Sequence, residues 1–564
     1  MKKIMKKVAA LSLALITAST MMAGCSGGSN KETTKAADAG TTAAAGSESV
    51  APATQTSDKV LKFACQNFSE NIDPMAQTNA AWDVSRYGIG ETLFRFDEQM
   101  NANNYLCDKH EVKDDGKTWE LHIKDGVKFS NGNDCKASTV KEYLELIYKK
   151  EADYKKDPST GLTSTPSKYI PGIQSIEADD STNVVTIKLE NALLDLNSRL
   201  CFPYFVILDP SVENMAENPV GTGPYAITDY KIGSKTMSMK ANENYWNGVV
   251  PFKGIEISYI EKSDVKAMAL MNGDVNLTEN VADKTKLEAL QTDENYTVKI
   301  TPGIRCGFAY MNEQDNRPLA NKDLRKAVLM AIDDETICNT IVGGMYTPGC
   351  SLVPSTLDYG YDQLTDATPF DVEGAKKILD DAGIVDSDGD GWRELDGKKI
   401  TLTHYTYDNR ALKELAEACQ VNIEAIGIDV DLKETTADDI WSGHLVTGDY
   451  DLLSNNWTTA EIGDPYSYLD NWYGKSEANY CGYKNDEYDK LYEELGATAI
   501  DDKAKRKELL TKLQQILVDD CVALVHGYYN SNMIFKAKGD DAIKGATTHS
   551  ADYYWITTDI QPAE

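Results

Sequence analysis

Apolar residues recur along this chain with two different spacings. In Val184-Val185-Thr186-Ile187-Lys188-Leu189 and in Gly254-Ile255-Glu256-Ile257-Ser258-Tyr259-Ile260, apolar and polar positions alternate, the period of a half-buried strand. Val60-Leu61-Lys62-Phe63-Ala64 and Tyr225–Tyr230 also read as strands. Over Glu373–Ala382 and Ala411–Ile426 the apolar positions fall three and four apart, which predicts amphipathic helices. Strand and helix mixed over so long a chain fit an α/β protein in two lobes.

The first residues follow neither period. Lys2, Lys3, Lys6 and Lys7 precede the short apolar run Val8–Thr20, which reads as a secretory signal and is shorter than the roughly 20 residues a membrane span needs. The run ends in Met22-Ala23-Gly24-Cys25, which resembles the lipobox of bacterial lipoproteins, with Met22 where Leu is usual. That resemblance implies a signal peptide over 1–24 and a diacylglyceryl group on the Cys25 thiol. Residues 25–57 are Ser, Thr, Ala and Gly almost throughout, a flexible tether with a reach of about 30 Å. The folded part is then expected from Asp58 onward, tied to a membrane but outside it.

Charge narrows the partners. Among 564 residues, 57 Lys+Arg stand against 89 Asp+Glu, a net charge of −32, which excludes a nucleic-acid surface and a polybasic membrane patch. Thirty Tyr and eight Trp suit a wall that meets varied ligands, although core packing uses aromatics equally well. The other ten cysteines (65, 107, 135, 201, 306, 338, 350, 419, 481 and 521) stand singly. Without a close pair they predict buried free thiols rather than a metal or redox motif, and their pairing stays open.

Enzyme signatures are missing: no HExxH, GxSxG or GxxxxGK[ST] occurs. Gly221-Thr222-Gly223-Pro224-Tyr225-Ala226 satisfies GxGxxA formally, but Pro224 lies inside it and a strand follows where a dinucleotide site opens a helix. The chain is expected not to be an enzyme. An extracellular hydrolase and a sensory or adhesive lipoprotein are the rival readings.

Several blocks, taken in order, resemble family 5 solute-binding proteins, the peptide- and nickel-binding receptors of ABC importers. They are Asn71-Ile72-Asp73-Pro74, Trp82–Phe94, the 114–144 block DDGKTWELHIKDGVKFSNGNDCKASTVKEYL, PVGTGPYAITDYKIG (219–233), NENYWNG (242–248), AMALMNGDVNL (267–277), PLANKDLRKAVLMAIDDETI (318–337), GDPYSYL (463–469) and YCGYKNDEYDKL (480–491). Asp134-Cys135-Lys136 departs from the family's Pro-Leu-Thr and removes a Thr cap from the following helix. The resemblance implies a two-lobed periplasmic-binding-protein fold with a hinge and an inserted subdomain, of the peptide-binding (cluster C) type. By that analogy lobe I is 58–95, 218–300 and 527–564, the insertion is 96–217 and lobe II is 301–526, with hinge crossings near Thr301-Pro302-Gly303 and His526-Gly527.

The same resemblance suggests where a ligand is held. In the peptide branch an Asp shortly after a Trp, just before an acidic–Pro pair, anchors the ligand amine. Here the stretch from Trp457 to Asp464-Pro465 is one residue longer, Glu461 is the nearest carboxylate to that role, and Asp464 is expected to cap the next turn. The 82–94 opening, Tyr405–Arg410 and the longer loop look more like the nickel and metallophore branch, where arginines and aromatics grip a chelator's carboxylates. Trp82, Arg86, Arg305 and Arg410 are the candidates, since a guanidinium in a cleft binds a carboxylate bidentately, although each also fits a structural salt bridge. His404 stands alone in sequence, so direct nickel coordination is not expected.

Apart from these, Asp386-Ser387-Asp388-Gly389-Asp390-Gly391-Trp392-Arg393-Glu394 places oxygen donors with EF-hand-like spacing at Asp386, Asp388, Asp390 and Glu394, but Gly397 stands where the bidentate Glu belongs. A weak structural Ca2+ site and a plain acidic turn are the alternatives. The combined expectation is a lipid-anchored extracellular receptor, acting as a monomer and needing no cofactor. It would capture oligopeptides or dipeptides, or alternatively a nickel–metallophore chelate. It would then deliver them to an ABC permease with cytoplasmic ATPases.

Overall fold

A computed structural model describes residues 51–76, 78–157 and 166–563. The signal segment, Cys25 and the tether as far as residue 50 lie outside them.

One mixed sheet of eleven strands runs through the molecule. At one end Ser57–Cys65 pairs in parallel with Phe252–Tyr259 and Leu277–Glu279, with Thr236–Ala241 and Tyr225–Lys231 extending the edge. At the other end Thr401–Thr406 pairs in parallel with Asp429–Glu434 and Leu452–Thr458, with the helix Leu412–Glu424 making the crossover. The expected alternation at 184–189 is seen as the strand Val184–Leu189, with Val185, Ile187 and Leu189 buried. The expected helix at 373–382 spans Val372–Asp381, and its cap, Asp371, accepts the Gly374 amide.

Two long antiparallel strands, Tyr296–Met311 and Ala523–Lys536, join the two ends. Their register shifts between Thr301 and Arg305 and again between Gly307 and Phe308. The residues of the expected hinge crossings lie within these strands. A Cβ on Gly303 would lie 2.0 Å from the Tyr529 carbonyl oxygen, and Gly527 has φ +119°, so glycine here permits close approach and a left-handed backbone.

Two buried clusters flank this sheet. One gathers Leu61, Ile257, Tyr553 and Ile304 with the aromatic rings of Phe94 and Phe202. The other gathers Cys306, Phe308, Leu412, Leu452 and Leu524, together with Leu270 and Leu287 from helices on the far face of the first half. Residues 107–189 add a separate four-stranded antiparallel sheet, packed against the helix Ala137–Lys156. The cap this helix lacks in sequence comes from elsewhere: Asn183 Oδ1 accepts the Ala137 amide at 2.9 Å and Asp180 Oδ1 the Ser138 amide at 2.8 Å. All ten described cysteines are unpaired, and nine of them are buried.

Asp464 caps as expected, accepting the Tyr466 amide at 2.9 Å, and does more. Arg506 donates to both its oxygens at 2.7 and 3.0 Å and to the carbonyls of Leu495 and Thr498, with both partners about nine-tenths buried. Removing one half of such a pair strands the other charge without water. Asp464→Ala is expected to cost about 3–5 kcal/mol in urea unfolding. A loss below about 1 kcal/mol, the level of an exposed pair, would show that Arg506 is solvated instead.

Candidate functional site

The three sequence-flagged arginines converge on a residue the sequence did not flag. Arg86 ends the helix Thr78–Arg86, Arg305 lies in the long strand at its first register shift, and Arg410 follows Thr401–Thr406 in a left-handed conformation (φ +47°). All three reach Asp552. Arg86 Nε and Nη2 donate to its carbonyl oxygen at 3.2 and 2.9 Å. Arg410 Nη2 donates to its Oδ2 at 3.2 Å. Arg305 Nε lies 3.4 Å from the same Oδ2, a charge contact that falls short of a hydrogen bond.

A circuit of polar groups braces this cluster. Arg305 Nη1 donates to the Asn456 carbonyl at 2.9 Å, Asn456 Nδ2 donates to Tyr346 Oη at 2.6 Å, and Tyr346 Oη donates to the Arg410 carbonyl at 2.8 Å. Arg86 is held between the Trp82 and Tyr554 rings, 4.5 and 5.0 Å from their centroids. Trp82 in turn packs on Tyr553 and Phe202, so both Trp82 and Arg86 serve as supports for the 552–556 segment.

Burial would raise the Asp552 carboxyl, but Arg410, Arg305 and Arg86 outweigh it and hold it below the usual range. Burial, and then Arg410 beside it, push the Arg305 guanidinium down to about 10, only partly offset by Asp552. The cluster carries more positive than negative charge.

Trp457 and Glu461 lie elsewhere, on the wall of a cavity of about 720 Å3, within the usual range for small-ligand sites of about 300–1,000 Å3. Lys168, Tyr169, Asp195 and Arg199 form one side of it, and Trp457, Glu461, Tyr468 and Arg506 are among those on the other. Trp457 packs edge-on against Trp441 and Tyr468. Burial raises the Glu461 carboxyl, with Arg305 and Lys168 pulling it back. Its backbone carbonyl accepts Tyr553 Oη at 2.9 Å, which ties the cavity wall to the Asp552 segment.

The sequence reasoning missed Asp552, Lys168 and Trp441. Only the fold brings them to these places, and no spacing or motif marks them. His404 is fully buried, paired through Nε2 with Ser454 Oγ, and burial pushes it down to about 3. In the 386–394 loop the carboxylates of Asp386, Asp388 and Glu394 come within 4.8 Å of one another. Asp390, expected as a fourth donor, is outside this group: the turn swings it to accept the Trp392 amide at 2.9 Å.

The family model for bacterial extracellular solute-binding proteins, family 5 middle, matches residues 101–480. The chain belongs to this family. Its members are transport receptors rather than enzymes, acting outside the cell or in the periplasm with ABC permeases. Among the described residues no helix is long and apolar enough to cross a membrane.

This solute-binding protein is 25% identical to the oligopeptide-binding protein AppA of Bacillus subtilis, over 78% of this chain and 81% of that one. It is 28% identical to the nickel-binding protein NikA of Staphylococcus aureus, over 73% and 78%. The crystal structure of that NikA in complex with Ni(L-His)2 superposes with a TM-score of 0.71 and 23% identity, covering 90% of this chain and 100% of that one. A dipeptide-binding protein from Pseudoalteromonas in complex with Met-Leu gives 0.72 at 17% identity, with the same coverage. The fold is the two-lobed one of these binding proteins.

Asp83 lies one turn before Arg86, its Oδ2 accepting Ser69 Oγ at 2.7 Å and its Oδ1 buried without a partner. Burial raises it from 3.8 to about 7, more than Ser69 and Arg86 lower it. The folded protein then holds a proton that the unfolded chain releases, so Asp83 destabilises the fold as pH rises from about 4 to 7. The melting temperature of Asp83→Asn is expected to gain on the wild type between pH 4.5 and 7.5. A constant difference would show that Asp83 stays ionised.

Proposed function

We propose that this receptor captures short peptides as zwitterions in the 720 Å3 cavity and hands them to an ABC permease, held at the cell surface by a lipid on Cys25. One observation carries the ligand class: among the described residues the cavity wall bears one carboxylate and one cation whose side chains make no hydrogen bond or salt bridge. Asp195 is paired with Arg199, Asp464 with Arg506, and Asp470 accepts Ser476 and Tyr492. That leaves Glu461 and Lys168. A free acid and a free base facing one cavity complement the ammonium and carboxylate of a peptide. The aromatic faces of Tyr169, Trp457 and Tyr468 offer side-chain pockets that do not read sequence. The names of the peptide-binding relatives support the same reading.

The nickel-chelate reading has a narrower basis. In the Staphylococcus aureus complex the nickel is carried by L-histidine, itself an amino acid, but an amine that binds metal has lost its ammonium proton and offers no cation to Glu461. Among the described residues no histidine lines the cavity, so the ligand would have to bring every imidazole donor.

Native mass spectrometry of the purified protein is expected to release a ladder of peptide masses; a single nickel-bearing mass would replace the peptide reading with the chelate one. Calorimetry with Met-Leu is expected to show Glu461→Gln and Lys168→Gln each weakening binding by about ten-fold or more, the worth of one charge-assisted hydrogen bond. Unchanged affinity in both would take the ligand out of this cavity. The 386–394 loop is proposed separately as a weak Ca2+ site, on its three converging carboxylates. Millimolar Ca2+ is then expected to raise the melting temperature of the wild type but not of Asp386→Ala; equal shifts would leave the loop a plain acidic turn.

A further inference from the structure

The cavity wall carries a stack of tyrosine rings that charge complementarity leaves unused. Tyr492, on the helix Asp486–Ala497, stacks on two others: the Tyr466 ring at 4.5 Å and 9°, and the Tyr473 ring at 4.7 Å and 29°. Tyr466 and Tyr492 both line the cavity. Among the described residues Tyr466 stacks on no ring but Tyr492, so it ends the stack on the cavity side and is only half-buried.

The stack is fixed before any ligand arrives. Tyr492 Oη donates to Asp470 Oδ1 at 3.1 Å, and Tyr473 Oη to Glu493 Oε1 at 2.8 Å. The Tyr466 amide donates to Asp464 Oδ1, on the carboxylate that Arg506 holds from its buried position. Room for the Tyr466 ring comes from Gly496, which also lines the cavity: a Cβ there would lie 2.5 Å from Tyr466 Oη. Gly496 is not in a left-handed conformation, so what glycine supplies at this point of the helix is space.

The opposite wall supplies apolar surface. Leu194, beside Asp195, is 39% exposed on the cavity. Its neighbour Leu193 is anchored, its carbonyl accepting Trp119 Nε1 at 2.9 Å. An open aliphatic side chain across a cavity from the free end of an aromatic stack offers nothing to the charges of a zwitterion, but it suits a flat apolar group.

We propose that Tyr466 is a specificity-determining residue: a planar aromatic side chain of the bound peptide extends the Tyr473–Tyr492–Tyr466 stack and is covered by Leu194. The inference rests on the peptide reading for the ligand and goes beyond it in the choice of side chain. Glu461 and Lys168 serve any zwitterion alike, whereas a ring held in place gains most from a flat partner. Little is lost in ordering the platform, because its hydroxyls and backbone are already tied.

The test compares aromatic dipeptides with saturated counterparts of the same size, in which cyclohexylalanine replaces phenylalanine. In calorimetry with the wild type, Met-Phe or Phe-Leu is expected to bind about three- to ten-fold more tightly than its cyclohexylalanine counterpart. In Tyr466→Leu that ratio is expected to fall to about one. Each ratio is taken within one protein, so a general loss of affinity in the variant cancels.

Ratios near one in the wild type for both dipeptides would overturn the proposal. An undiminished ratio in Tyr466→Leu would overturn it too, and would assign the preference to another ring of the wall, such as Tyr169. Should Tyr466→Leu not fold, Gly496→Ala displaces the Tyr466 hydroxyl and must lower the ratio in the same way; no lowering would equally count against Tyr466. If no dipeptide binds the wild type, the peptide reading fails, and saturation-transfer NMR with indole, which carries no charge, decides the subsite. Transfer from the wild type that is lost in Tyr466→Leu would uphold it, and no transfer, or equal transfer from both, would overturn it.

Discussion

The ladder between Tyr296–Met311 and Ala523–Lys536 is the constraint on which the rest depends. It runs from Tyr296 opposite Lys536 to Tyr310 opposite Ala523 and makes one sheet of what would otherwise be two. Backbone hydrogen bonds along two continuous strands keep the halves from separating, and their register breaks at Thr301/Arg305 and Gly307/Phe308 are where the ladder can twist. Any closure in such an arrangement would be rotation about this pair of strands. Gly303, pressed against the Tyr529 carbonyl, shows how tightly the strands approach at that axis.

Buried charge is distributed about the axis in a consistent way. Away from it, as at Arg506 and Asp464, the charges are paired bidentately and the carbonyls nearby absorb the remaining donors, so they fix the fold. Close to it, around Asp552, the pairing is incomplete. In the cavity, the Glu461 and Lys168 side chains make no hydrogen bond or salt bridge among the described residues. Unsatisfied charge costs stability where it is buried, as at Asp83, and in the cavity a zwitterionic solute would supply the missing partners.

Much of this was legible from the sequence. The alternation in Val184–Leu189, the helical spacing near 372–381 and 412–424, and the ordered blocks from Trp82 to Leu491 were enough for the α/β class and the family, because period and motif are properties of neighbouring residues. Asp464 was legible as a cap for the same reason: its acceptor role is to an amide two residues on. The capping of Ala137–Lys156 was legible only in part: Thr139 accepts the Lys136 amide three residues away, but Asn183 and Asp180 stand more than forty residues away. Asp390 fitted the loop spacing yet turned to its own local amide, because an exposed carboxylate takes the nearest donor.

Residue type alone marked Arg86, Arg305 and Arg410 as candidates for holding a carboxylate, and Glu461 as a candidate for an amine. What the linear chain carried was chemistry: which side chains could hold a charge. It could not carry the partner. Asp552 lies 466 residues from Arg86 and 142 from Arg410, and no local signal distinguishes it among 89 acidic residues. Its role is set by the long strands, which bring the end of the chain back across the middle of the sheet. Only the tertiary structure decided that the arginines face an internal carboxylate and that Glu461 and Lys168 face an open cavity, because electrostatic pairing acts through space over a few ångströms whatever the distance along the chain.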